Sequence, residues 1–119
     1  MEITPNFQPG QIVSLEHGDS RLYAEVIQVV VSRQLCWVRP LLLVVNSSEP
    51  PLIHDLREAS DLLWPVNLFQ PALDTEVISI LSQVLAKEPT PGIDSTSKQL
   101  LNQFINQVWQ AYKEGLGTS

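Results

Sequence analysis

Two histidine–carboxylate pairs are the positions in this sequence where general acid–base chemistry could be built. His17 lies two residues before Asp19, and His54 directly precedes Asp55. A histidine base needs a nucleophile or a metal within hydrogen-bonding reach, and the sequence has no GxSxG, HExxH or glycine-rich phosphate motif. We therefore expect no catalytic residue, no cofactor and no metal site. A polar cleft around His54 and Asp55 would instead favour an enzyme.

Cys36 is the one cysteine of the chain and stands between Leu35 and Trp37. A single cysteine excludes an internal disulfide and a cluster of cysteine metal ligands. Its apolar neighbours predict a thiol buried in the core.

The charge balance bears on the partners of the protein. The formal net charge is −6, with 13 acidic and 7 basic side chains. A protein that binds nucleic acid through its phosphates needs a basic face, so nucleic acid is not an expected partner. The alternative is a small nucleic-acid-binding barrel that gathers Arg21, Arg33 and Arg39 on one strand surface.

The length and composition predict a single domain over residues 1–119, since chains of 119 residues usually form one core. Hydrophobic residues make up 44% and charged residues 17% of the chain. There is no apolar run of about 20 residues, and the N-terminus resembles neither a secretory signal nor a transit peptide. We therefore expect a cytoplasmic protein that does not bind membranes.

The region from about residue 8 to residue 72 has the pattern of short β-strands. Val, Ile, Leu, Tyr and Trp are concentrated in runs that are separated by turn residues. The runs are QIVSLE, RLYAEVIQVVV, LCWVRPLLLVV and LIHDL. Pro40 cannot donate a ladder hydrogen bond and predicts a bulge, a bend or an edge. This spacing favours a small, partly open antiparallel barrel, and the continuous runs at 29–31 and 41–45 require cover on both faces.

Residues of about 74–115 have helical periodicity. Asp74 has the character of an N-cap for a first helix that ends near Lys87, before Pro89. Thr96 and Gln99 have the spacing of a capping box at the start of a second helix. The apolar side of that helix comprises Leu100, Leu101, Phe104, Ile105, Val108, Trp109 and Tyr112. We expect an antiparallel helical hairpin that packs on the barrel.

The segment SDLLWPVNLFQPALDTE, residues 60–76, joins the two regions. Pro65 and Pro71 push the residues before them toward extended conformations, so the segment cannot be one helix. We expect a last short strand or strap, with Trp64 and Phe69 as apolar anchors between the barrel and the helices. The alternative for the aromatic residues is a binding cage formed by Tyr23, Trp37 and Trp64.

The stretches GQIVSLEHGDSRLYAEVIQVV, CWVRPLLL and SDLLWP resemble small, largely uncharacterised proteins that cyanobacteria encode. The first 70 or so residues are similar in rhythm to SH3-like barrels. The resemblance carries no motif of known chemistry, and it implies a cytoplasmic accessory factor of a larger complex. The exposed aromatic row of the peptide-binding SH3-like barrels is not evident in this sequence.

Together these features predict an α+β protein: an SH3-like antiparallel β-barrel followed by a C-terminal antiparallel helical hairpin. We expect a non-enzymatic protein-interaction or assembly module, whose partner is another protein or a second copy of the chain. This function is favoured because the strands have more apolar surface than one core would cover. The candidate interaction surface comprises Tyr23, Trp37, Leu42, Val44, Trp64 and Phe69.

Overall fold

The structure is a computed structural model that describes residues 7–47, 51–57, 59–72, 75, 79, 82 and 95–117. In these residues six strands and one long helix are formed. They are β1 (Ile12–His17), β2 (Ser20–Val30), β3 (Leu35–Val45), β4 (Leu52–Asp55), β5 (Leu62–Pro65), β6 (Gln70–Pro71) and α1 (Ser95–Gly117). Short 3-10 turns at Val31–Arg33 and Val66–Leu68 follow β2 and β5.

The six strands form one antiparallel sheet built around β2 and β3. β2 pairs with β1 on one side and with β3 on the other, and β6 adds two residues to the outer edge of β1. The second edge of β3 is divided between two short strands. Residues 42–45 of β3 pair with β4, whereas residues 35–38 pair with β5.

The sheet is not closed into a barrel, so the predicted SH3-like barrel is wrong. β6 lies at one edge of the sheet and β4 and β5 lie at the other, and no pairing joins these edges among the described strands. The predicted number and length of the strands are compatible with both an open and a closed sheet. Closure depends on pairing between the first and last strands, which is a long-range property that strand patterns do not report.

The predicted helical hairpin is also wrong as a description of this fold, because α1 is the one continuous helix among the described residues. Thr75, Ser79 and Ser82 are the described residues of the predicted first helix, and each is helical. Most of the predicted first helix, residues 74–87, lies outside the described residues. The second helix is confirmed, although α1 begins at Ser95, one residue before the expected capping residue Thr96, and extends to Gly117.

Two bulges decide which side chains face the core. The register of β2 and β3 shifts between Tyr23 and Ala24, where β3 has the additional residue Leu41, and again after Val26, where β2 has the additional residue Ile27. The first bulge lies beside Pro40, as the sequence predicts. An added residue reverses the side-chain alternation beyond it. For this reason one end of β3 places Cys36 and Val38 in the core, while the other end places Leu43 there.

The core lies between one face of the sheet, called here the core face, and α1. The buried members of this face come from β1, β2, β3 and β5, and α1 adds three side chains. They are Val13, Leu15, Leu22, Ala24, Val26, Cys36, Val38, Leu43 and Trp64, with Leu101, Phe104 and Val108 from the helix. In β2, the alternate residues Leu22, Ala24 and Val26 share this face.

Trp64 and Phe69 join the sheet to the helix, as predicted. Trp64 is 4% exposed and Phe69 is 2% exposed, and their ring centroids are 6.3 Å apart. The Trp64 ring also contacts Trp109 of α1 edge-on at 6.0 Å. Edge-to-face aromatic pairs at such distances stabilise a core beyond the area that they bury. The proline-rich segment is therefore a structural connection between β5 and β6.

The opposite face of the sheet, called here the second face, carries a smaller cluster. Tyr23, Leu42 and Val44 are buried in it, and Ile12, Leu41 and Ala72 pack against them. This cluster explains why the run 41–45 is apolar throughout: alternate side chains of β3 enter different buried clusters.

Candidate functional site

The structure buries five of the six residues of the predicted interaction surface. Tyr23, Leu42 and Val44 lie in the cluster on the second face, and Trp64 and Phe69 lie in the main core. Trp37 alone is exposed, with 39% of its surface accessible. The interaction surface stays a prediction, and Trp37 is its one member whose side chain a partner could reach in this conformation.

The structure does not bring together the aromatic cage that the sequence allowed. In β5, Trp64 lies opposite Cys36 and points to the core face. Trp37 is the next residue of β3 and points to the second face, because successive strand residues alternate. The two tryptophans are therefore on opposite sides of the sheet.

Trp37 and Leu63 form an exposed apolar pair on the second face. Leu63 of β5 lies directly opposite Trp37 of β3, and 53% of its surface is accessible. The indole Nε1–H of Trp37 donates a hydrogen bond of 3.0 Å to Oδ2 of Asp61. This bond fixes the orientation of the ring, so the exposed indole is held in place without being buried.

A row of three charges borders this pair. Arg39 of β3 lies opposite Glu25 of β2, and on its other side its Nε contacts Oδ1 of Asp61 at 3.5 Å. Arg39 is 52% exposed and Asp61 is 32% exposed. Two carboxylates and one guanidinium leave the row with an excess of one negative charge. We call Trp37 and Leu63, together with Glu25, Arg39 and Asp61, the Trp37 patch.

The side chains of His54 and Asp55 are separated by the strand geometry. His54 and Asp55 are neighbours in β4, where consecutive side chains point to opposite faces. The Asp55 carboxylate instead accepts hydrogen bonds from Nε and Nη2 of Arg57, the latter at 2.8 Å. These bonds lower the pKa of Asp55 below its ordinary value, with a smaller opposing effect from burial. Asp55 and Arg57 therefore have the geometry of a structural ion pair at the end of β4.

His17 contributes to a shallow cleft between the end of β1 and α1. The cleft has a volume of about 350 Å³ and is lined by His17, Asn106, Gln107, Gln110 and Ala111. The imidazole rests edge-on against Phe104, with ring centroids 6.5 Å apart. Asp19 lies beyond it in an exposed turn, where its backbone carbonyl accepts the Asn46 N–H at 2.8 Å. The amides that line the cleft supply neither a nucleophile nor a second titratable group.

The contacts of the arginines bear on the alternative that Arg21, Arg33 and Arg39 form a basic strand surface. Arg21 pairs with Glu16 on the second face, and this hydrogen bond is the main reason that the pKa of Arg21 is raised. Arg39 contacts Asp61, and Arg33 lies apart from both in the 3-10 turn after β2. Carboxylates thus accompany the two arginines that share a face.

Cys36 is fully buried in the core face, as the sequence predicts. Burial disfavours the thiolate and raises the pKa of the thiol. Among the described side chains, no group of three or more His, Cys, Asp or Glu residues could hold a metal ion.

Sequence reasoning missed Leu63, Asp61 and Arg39 as neighbours of Trp37. The signal available was the alternation in DLLW: if Trp64 is a core anchor, Leu63 must face the other way. The sequence contains no signal that β5 pairs with the first half of β3. This pairing brings Asp61 close to Arg39.

In the part of the chain that the structure describes, no helix combines the length and apolar character needed to cross a membrane. Comparison of the chain with protein-family models, with curated proteins and with solved structures gives no match.

Proposed function

We propose that this protein is a cytoplasmic, non-enzymatic interaction module that binds another protein through the Trp37 patch. The observation that carries the proposal is the exposed Trp37 ring, held by its hydrogen bond to Asp61 beside the exposed Leu63. In the accessory role that the sequence suggests, the patch would be the contact with the larger complex.

The residue types of the patch support this use. Tryptophan and arginine are the residues that most often dominate binding energy at protein interfaces, and lysine is depleted there. Trp37 is one of these favoured residues, and it is not buried by the fold. An apolar residue, Leu63, extends the contact to the next strand.

The rigidity of the patch also supports binding. The three strands that carry it, β2, β3 and β5, are hydrogen-bonded in the sheet, and the indole is oriented by Asp61. A side chain that is already ordered loses less conformational entropy on association than a mobile one. A partner would therefore meet Trp37 in the conformation that it binds.

Site-specific photo-crosslinking tests the proposal. A photoreactive phenylalanine derivative replaces Leu63 in one variant and Val31 in a matched control. Val31 is 80% exposed but belongs to the 3-10 turn after β2, outside the patch. We expect a discrete crosslinked protein from position 63 and not from position 31, and we expect Trp37→Ser to abolish it. Equal crosslinking from both positions, or crosslinking that persists with Trp37→Ser, would contradict the proposal.

Light scattering with size-exclusion chromatography over a concentration series identifies the kind of partner. A dimer that Leu63→Asp converts to a monomer would make the partner a second copy of the chain. A monomer at all concentrations, together with the crosslinked product, would make the partner a different protein.

A further inference from the structure

We infer that the Trp37 patch binds an extended, cationic segment of its protein partner, with an arginine or lysine side chain placed against the Trp37 indole. This inference rests on the proposed function and adds the chemistry of the partner. It follows from the arrangement of a partly exposed aromatic ring and two carboxylates on one face of the sheet.

The aromatic ring supplies the first half of the recognition. A cation over the face of an indole is attracted by the negative charge of the π-system, and tryptophan is the strongest of the aromatic residues in this role. The Nε1–H of Trp37 is occupied by Asp61 at 3.0 Å. The donor is therefore used within the chain, and the 39% of Trp37 that is accessible favours a cationic group over a hydrogen-bond acceptor.

The carboxylates supply the second half. Asp61 is bonded to the indole itself, and Glu25 lies opposite Arg39 in the next strand. Arg39 can offset one of these charges, and its contact with Asp61 is long, at 3.5 Å. A second cation from a partner would therefore complete the row, giving two positive charges against two negative charges.

The electrostatic field of the whole chain also favours a cationic partner. The net charge of −6 attracts a basic segment and repels an acidic one at low ionic strength. Leu63, which is 53% exposed, lies on the side of Trp37 that faces away from β2. We expect it to contact an apolar residue next to the basic one. The segment that fits is thus an extended run with a basic residue between apolar residues.

Nuclear magnetic resonance titration of the full chain tests this chemistry. The probe is a blocked pentapeptide, serine–leucine–arginine–leucine–serine, and the control probe has citrulline in place of arginine. The indole N–H signal of Trp37, assigned with Trp37→Phe, reports binding at the patch. We expect a saturable shift with the arginine peptide and binding about fourfold weaker with citrulline, which matches one charge pair at about 5 Å in water.

Charge variants give effects of opposite sign. Asp61→Asn keeps an acceptor for the indole but removes a negative charge, so it should weaken binding of the arginine peptide about fourfold. Arg39→Gln removes the competing cation and should strengthen binding. Asp19→Asn makes the same change in net charge, but Asp19 lies in the turn before β2, about 20 Å along the strand direction from Glu25. It should have no effect, because charges at that distance are screened in salt of about 0.15 M.

The results separate the two proposals. Equal affinities for the arginine and citrulline peptides, or equal effects of Asp61→Asn and Asp19→Asn, would overturn the cationic preference while leaving the crosslinking result for the patch intact. The absence of any shift at Trp37 with either peptide would also overturn it. Loss of patch-specific crosslinking would instead overturn the proposed function.

Discussion

Leu42 and Leu63 lie on the same face of the sheet, and an aspartate in place of each should have opposite consequences. Leu42 is 0% exposed and belongs to the buried cluster with Tyr23, whereas Leu63 is 53% exposed in the Trp37 patch. We expect Leu42→Asp to remove most of the free energy of unfolding at neutral pH. We expect Leu63→Asp to change the free energy of unfolding by only about 0.5 kcal/mol.

The size of the Leu42 effect can be worked out from its burial. Removing a fully buried leucine side chain costs about 2–5 kcal/mol. The buried aspartate must then take up a proton, which costs about 4 kcal/mol at pH 7, because its ordinary pKa is about 3.9 and each pH unit corresponds to about 1.4 kcal/mol. The sum of about 6 kcal/mol or more is comparable to the whole stability of a domain of this size, about 5–15 kcal/mol.

Urea unfolding followed by circular dichroism measures both variants against the unsubstituted chain at pH 7 and pH 5. A buried carboxyl group has a folded-state pKa above its unfolded value, so the folded protein binds the extra proton and gains stability as the pH falls. The cost of protonation is about 2.7 kcal/mol smaller at pH 5 than at pH 7. Leu42→Asp should therefore recover part of its stability, relative to the unsubstituted chain, at the lower pH.

Two results would refute this reasoning. If Leu42→Asp unfolds at the same urea concentration as the unsubstituted chain, Leu42 is not part of a buried cluster in solution. If Leu63→Asp is destabilised as strongly as Leu42→Asp, the Trp37 patch is a covered surface, and its use as a binding site fails together with the stability prediction.

Three further experiments test other features of the fold. Asp55→Asn should destabilise the protein at neutral pH, and its stability curve should converge with that of the unsubstituted chain as the pH falls below the ordinary pKa of 3.8, where Asp55 loses the charge that Arg57 stabilises. Cys36 should react with a thiol reagent at pH 8 only at the rate of unfolding, because its buried thiol has a raised pKa; rapid reaction of the folded chain would place the thiol at the surface. Gln34 has φ 54°, so Gln34→Gly should stabilise the protein by about 0.5 kcal/mol in thermal unfolding, whereas Gln34→Ala should not.

The parts of the fold that the sequence predicted depend on local patterns. In α1, Leu101, Phe104 and Val108 recur at helical spacing, and any helix over these residues must place them on one side. The alternation in β2 has the same local origin. Pro40 predicted a bulge, a bend or an edge, and a bulge is found beside it. This prediction succeeds because the missing N–H is a property of the residue and not of its surroundings.

The parts that the sequence did not predict depend on pairing between distant segments. Whether β6 meets β4 or β5 is decided by the twist of the sheet and by the length of each pairing, and β6 contributes only two residues. The exposure of Trp37 is equally long-range. Trp37 and Trp64 both lie in short apolar runs, and only the pairing of β3 with β5 shows that one faces the core and the other faces away.

The charged row of Glu25, Arg39 and Asp61 divides the second face into two parts with different roles. On one side of the row, Tyr23 and Leu42 are buried, and on the other side Trp37 is exposed. Covering the row would require the removal of water from three ionised groups, which costs free energy unless each is fully paired. The long contact between Arg39 and Asp61 leaves this pairing incomplete within the chain.

The row therefore marks where intramolecular packing of this face ends. A partner that adds a cation would pair the remaining negative charge, so the row could then be covered. Such a partner binds the folded chain through side chains that contribute little to its stability. Association and folding should then be separable by mutation: Asp61→Asn should weaken binding without changing the unfolding midpoint of the free protein. When the partner is present, it should raise that midpoint by mass action, and the increase should be smaller for Asp61→Asn than for Asp19→Asn.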